Sequence, residues 1–196
     1  MRRSYFVSAL VMIGFLAGCS SIRIQTGPPT DEEATQQSED MGRRFKTDWA
    51  DRLQKATPLQ QADMMRVFMD STTARFLRFG RQVDDWWRDQ SEKRGAQVPV
   101  QEVRTSVERS SQLDVPLLEA YEDILEFGIS LIRDEKFFDP AAEQKLVEYR
   151  DLYLDVYSSV FYPNGTREDF DMKLQSLETQ TQRTSQELAE RLQQYR

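Results

Sequence analysis

The sequence has no histidine, and Cys19 is its single cysteine. Nucleophilic triads usually take their base from histidine, whose pKa lies near neutrality, so the common hydrolase triads are excluded. Zinc sites built from histidine and cysteine are excluded for the same reason. A chain with one cysteine forms no internal disulfide. We therefore expect no catalytic residue, no metal ligand and no cofactor.

Glycine and proline are scarce, with 8 and 7 residues in 196, which favours long uninterrupted helices. Basic residues are outnumbered, since 26 Lys and Arg stand against 33 Asp and Glu. Loss of Arg2 and Arg3 with residues 1–18 would lower the net charge from −7 to about −9. An acidic surface repels phosphate backbones, so nucleic acid is not an expected partner.

The N-terminus combines three features in order: a basic start at Met1–Arg3, an apolar run over residues 4–16, and the tetrapeptide Leu16-Ala17-Gly18-Cys19. The apolar run has the length of a signal-peptide core and is short for a spanning helix. This pattern resembles the lipobox of bacterial lipoproteins. The resemblance implies cleavage between Gly18 and Cys19, with acyl chains on Cys19 as the membrane anchor. An uncleaved anchor with a coincidental cysteine is the alternative.

Three segments are expected from this N-terminus onward. Residues 1–18 would be the cleaved signal peptide, and residues 19–41 a lipidated, flexible polar tether interrupted by Gly27-Pro28-Pro29. Residues 42–196 would form the helical domain. Ser20 follows the cysteine where an aspartate could stand, which resembles lipoproteins sorted to the outer membrane and facing the periplasm. The inner membrane and the cell surface stay open.

The domain is expected to be all-α, an antiparallel bundle of four to five helices. Apolar residues recur at intervals of three and four, and helix starts carry recognisable caps. The clearest caps are Thr57-Pro58 with Gln60, Asp139-Pro140, and Thr166 with Asp169. Gly95 is a plausible helix end.

Two places are candidate partner-binding residues. Trp86 lies on the apolar stripe of its helix and Trp87 one step round it, so the pair either anchors a partner or covers the end of the core. The stripe of the last helix turns polar at Thr181 and Thr184 before Leu188 and Leu192. That helix would be loosely packed, project from the bundle, or pair with a partner along a polar seam.

The leading functional hypothesis is a non-catalytic helical module that assists or assembles another envelope protein. A cell-envelope hydrolase that works through carboxylates is an alternative, and its candidates are Glu119, Glu122, Asp123 and Glu126. A carrier of a small apolar ligand is the other, and it would need an internal cavity.

The lipobox makes a direct prediction about Cys19. A Cys19→Ala variant loses the thiol that accepts the lipid, so we expect no labelling by radioactive palmitate and retention of the signal peptide. Mass spectrometry of the purified chains measures both the attached lipid and the retained signal peptide. Ser20→Ala is the control and should be processed and labelled like the wild type. Cleavage and membrane retention of the alanine variant would contradict the lipoprotein interpretation.

Overall fold

The computed structural model describes residues 31–134 and 139–195. The expected signal peptide, the expected cleavage site and Cys19 lie outside these ranges. Within them the fold is all-α, as expected, with six α-helices and one 3-10 turn. These are α1 Asp31–Lys55, α2 Pro58–Arg94, α3 Val100–Ser111, the 3-10 turn Gln112–Asp114, α4 Val115–Asp134, α5 Pro140–Phe161 and α6 Arg167–Gln193. No helix in these ranges combines the length and apolarity needed to cross a membrane.

The helical part begins at Asp31, not at residue 42, so residues 31–41 of the expected tether are helical. Polar composition alone led to the tether assignment. The segment nevertheless lacks glycine and proline before Gly42, and acidic residues at a helix start interact favourably with the macrodipole. Its Thr35 and Ser38 line a groove opposite Gln112 of the 3-10 turn.

The expected caps are present. Thr57 forms a capping box with Gln60 at the start of α2, and Gly95 ends that helix in the left-handed region with φ 63°. Asp139 accepts from the backbone N–H of Ala141. Thr166 and Asp169 form the capping box of α6. Each cap satisfies backbone N–H groups that a helix leaves unpaired at its start.

Helix α2 is the axis of the bundle. Along α2, the contacting residue numbers of α4 and α6 fall as those of α2 rise, so these two helices are antiparallel to α2. The contacting residue numbers of α5 rise with those of α2, so α5 is parallel to it. The pairs are Met65–Gly128 and Phe68–Tyr121 with α4, Asp84–Arg167 and Arg81–Glu178 with α6, and Asp70–Tyr149 and Phe76–Tyr157 with α5.

The core is built around two aromatic residues of α2. The Phe68 ring lies 5.1 Å from Trp49 of α1, 5.8 Å from Tyr121 of α4 and 6.5 Å from Tyr153 of α5. Phe76 lies two helical turns further along α2, and its ring is 5.5 Å from the ring of the same Tyr153. Edge and tilted arrangements at these centroid distances add to the free energy of burial. These contacts join four helices into one core.

Helix α1 packs against α4 through a glycine. A Cβ atom at Gly42 would lie 2.5 Å from the backbone oxygen of Pro116, a distance that only a glycine permits. One turn further, Lys46 pairs with Asp123 at 2.6 Å. Both pairs advance in the same sequence direction, so α1 runs parallel to α4. The close crossing positions α1 over Phe68 and Tyr121.

Gly42→Ala tests this crossing. Helix propensity alone would stabilise α1 by up to about 1 kcal/mol, but overpacking against a backbone atom costs about 1–3 kcal/mol. We therefore expect a lower free energy of unfolding and faster amide hydrogen exchange, confined to α1. Urea unfolding and exchange mass spectrometry measure these effects, with exposed Gln37→Ala on the same helix as the control. A stabilised α1 would show that the crossing is not tight.

Candidate binding surface

The two tryptophans exchange the places that the sequence predicts. Trp87 is buried, with 1% of its surface exposed, and its Nε1 donates to the Val98 carbonyl at 2.9 Å. Its ring lies 6.1 Å from Phe170, while Trp86 is half-buried against the core. An α-helix drifts about 20° per heptad from a 3.5-residue repeat. Over the three heptads after Met65 this drift turns position 87 inward.

The last helix is packed, not projecting. Thr181, Thr184, Leu188 and Leu192 are all buried within the bundle, so in this fold their side chains are not exposed to a partner. The Thr181 hydroxyl donates to the Leu177 carbonyl at 2.8 Å, which satisfies it inside its own helix.

The polar seam of α6 has an internal explanation. Tyr149 of α5 is buried, and its hydroxyl donates to Asp70 of α2 and lies within hydrogen-bonding reach of Ser185. Burial and the neighbouring Asp70 raise the pKa of Tyr149 well above its usual 10. A buried hydroxyl needs polar partners. Small polar residues on α6 therefore suit the interior better than leucine at this level.

An ion-pair cluster fixes α6 to α5. Lys145 of α5 lies 2.6 Å from Glu148 and 2.8 Å from Glu187 of α6, which also accepts from Arg183. Hydrogen bonds from Lys145 and Arg183 lower the pKa of the Glu187 carboxyl from 4.5 to about 2.

The acidic residues of α4 point outward. Glu119, Glu122, Asp123 and Glu126 are exposed. Asp123 pairs with Lys46, and with Glu119 it lines an open groove of about 980 Å³ between α1 and α4. A second open groove of about 460 Å³ lies alongside. Trp86 and Trp87 line neither of these two grooves. Neither groove is an enclosed apolar cavity.

A surface that sequence reasoning missed lies at the end of α5. We call Phe79 of α2 with Tyr157, Phe161 and Tyr162 the aromatic surface. Phe161 lies 5.6 Å from Phe79 and 4.8 Å from Tyr157, whose ring is 6.5 Å from Tyr162. Tyr162 is 61% exposed, and the other three are half-buried. Phe76 lies beneath them, 5.6 Å from Phe161.

Acidic and basic side chains both lie near the aromatic surface. Burial, with Tyr162, Glu122 and Glu119 acting in the same direction, raises the pKa of the Tyr157 hydroxyl to about 12. Tyr157 therefore stays protonated and able to donate at neutral pH. Two neighbouring cations have internal acceptors: Arg75 donates to the Tyr121 hydroxyl and Arg104 to the Pro163 carbonyl.

Comparisons of the chain with family models, with curated proteins and with solved structures find no match. The assignment of a binding surface therefore rests on geometry. A second stripe on α5 was a usable signal: Leu154, Tyr157 and Phe161 follow at intervals of three and four, one position beyond the buried stripe of Tyr153, Val156 and Val160.

The Glu187 cluster makes stability depend on pH. Because the folded-state pKa is lowered, the contribution of Glu187 is fully present above about pH 4.5 and is lost as the pH falls towards 2. Urea unfolding across this window should show a smaller loss of stability on acidification for Glu187→Gln than for the wild type. Glu190→Gln on the same helix is the charge-matched control. An unchanged pH dependence in Glu187→Gln would contradict the pairing.

Proposed function

We propose that this chain is a lipid-anchored, non-catalytic helical module that binds another protein of the cell envelope, at the periplasmic face of the outer membrane. The observation that carries the proposal is the aromatic surface. Tyrosine and other aromatics are enriched at binding hot spots, where they supply large contact area at low entropic cost. A half-exposed cluster of four rings is more than the scattered exposed apolar residues of an ordinary surface.

The N-terminal pattern supports the anchored part of the proposal. Eleven residues separate Cys19 from Asp31, and an extended chain spans at most about 3.6 Å per residue, or about 40 Å. An anchor at Cys19 would therefore hold the domain close to the bilayer. Several acyl chains make such attachment effectively permanent.

The aromatic surface lies in the half of the bundle from which such a tether would leave. Helix α1 passes the start of α4 at Gly42 and Pro116. The start of α4 also carries Glu119 and Glu122, which act on Tyr157 near the end of α5. A partner bound to the aromatic surface would thus be held near the membrane, which suits a protein embedded in or assembled at that membrane.

In-cell crosslinking tests the proposal. Intact cells are treated with a membrane-permeable amine crosslinker, and the tagged full-length chain is purified under denaturing conditions for mass spectrometry. We expect one envelope protein in near-stoichiometric yield. Its yield should fall strongly in Cys19→Ala, because a chain that keeps its signal peptide stays at the membrane of export and loses the effective concentration beside its partner that the lipid anchor provides.

The Ser20→Ala variant is the control. It should be cleaved and lipidated like the wild type, and it should retain the crosslink. Recovery of the chain alone, from cells in which it is correctly lipidated, would refute the binding-module proposal.

A further inference from the structure

We infer that the segment covering the aromatic surface is apolar and positively charged, with Lys or Arg side chains that pair with Glu119 and Glu122. This inference rests on the proposed function and adds the chemistry of the partner. It depends on three observations: the apolar contact area, the carboxylates beside it, and the net negative charge of the chain.

The apolar area extends beyond the four rings. Leu154, one turn before Tyr157 on α5, is 38% exposed and continues the stripe towards the middle of the bundle. Phe76 closes the surface from below and is only 4% exposed, so the cluster has a rigid base. A preorganised base with exposed apolar edges favours an apolar segment that lies along α5.

The neighbouring carboxylates lack internal partners. Asp123 of α4 is paired with Lys46, but Glu119, Glu122 and Glu126 form no ion pair with any residue of the described ranges. Tyr121, the residue before Glu122, and Tyr157 both lie against the Phe76 ring, at 6.2 Å and 5.6 Å, and Glu119 and Glu122 are close enough to raise the pKa of the Tyr157 hydroxyl. A cationic side chain of a partner could therefore reach them while its apolar part contacts the rings.

The net negative charge of the chain disfavours the other occupants. Segment 31–40 of α1 contains five acidic residues and no basic one, and the whole chain carries a net charge of −7. Like charges within a Debye length of about 8 Å repel at physiological ionic strength. An anionic bilayer and a second copy of this chain are both repelled, whereas a cationic segment is attracted.

Site-specific photo-crosslinking in cells tests the inference. Two variants each carry one photoreactive phenylalanine analogue. One has it in place of Tyr162, and the other has it in place of Tyr195, which follows α6 and is 48% exposed. We expect a crosslink from position 162 to a Lys- or Arg-bearing apolar segment of another envelope protein, and a yield at least about tenfold lower from position 195. Mass spectrometry of the crosslinked peptide identifies the segment.

Charge reversal supplies the decisive comparison. Glu119→Lys with Glu122→Lys should lower the yield from position 162 on the order of tenfold. Glu92→Lys with Glu190→Lys carries the same change of net charge at exposed sites elsewhere and should leave the yield within about twofold. Exchanging the partner's basic residues for glutamate should restore crosslinking to the reversed chain.

Other outcomes separate the two proposals. A crosslink from position 162 to lipid, to a second copy, or to a neutral or acidic segment overturns the inference, and so does an unaffected yield after charge reversal. If the amine crosslinker captures one envelope protein but position 162 does not reach it, the inference fails while the binding function stands. If neither reagent captures such a protein, the proposed function itself fails.

Discussion

The contact of Phe68 and Phe76 with Tyr121 and Tyr153 is the constraint on which the rest of the bundle depends. These rings bring α2, α4 and α5 together, and Trp49 adds α1 to the same cluster. Helix α6 completes the enclosure on the other side, where Gly80 of α2 allows Leu174 to approach closely. Because every helix meets α2, its 37 residues set the length and direction of the whole bundle.

That arrangement determines which aromatic residues are left at the surface. Phe76 is enclosed because α4 and α5 cover it from two sides, whereas Phe79, one turn further along α2, is half-buried and contacts Phe161 at the end of α5. Tyr162 caps α5 and is 61% exposed. The aromatic surface is thus the outer edge of the core at the last turns of α5. Its inner rings are held rigidly, as a recognition surface requires.

Local sequence chemistry predicts the helices well because caps and glycines act within a few residues. Thr57 with Gln60, Thr166 with Asp169, and Gly95 all lie where their patterns indicate. Features that depend on accumulated geometry or on distant partners are not predicted.

The inward turn of Trp87 results from drift over three heptads. The burial of Thr181 depends on a tertiary polar layer around Tyr149, which α6 alone does not reveal.

The most direct measurement is tyrosine footprinting of the wild-type chain in intact envelopes and after purification, comparing modification of Tyr162 with that of Tyr195. If a partner covers the aromatic surface, the ratio of Tyr162 modification to Tyr195 modification will be severalfold lower in the envelope than in the purified protein. An equal ratio in both states would contradict coverage by a partner.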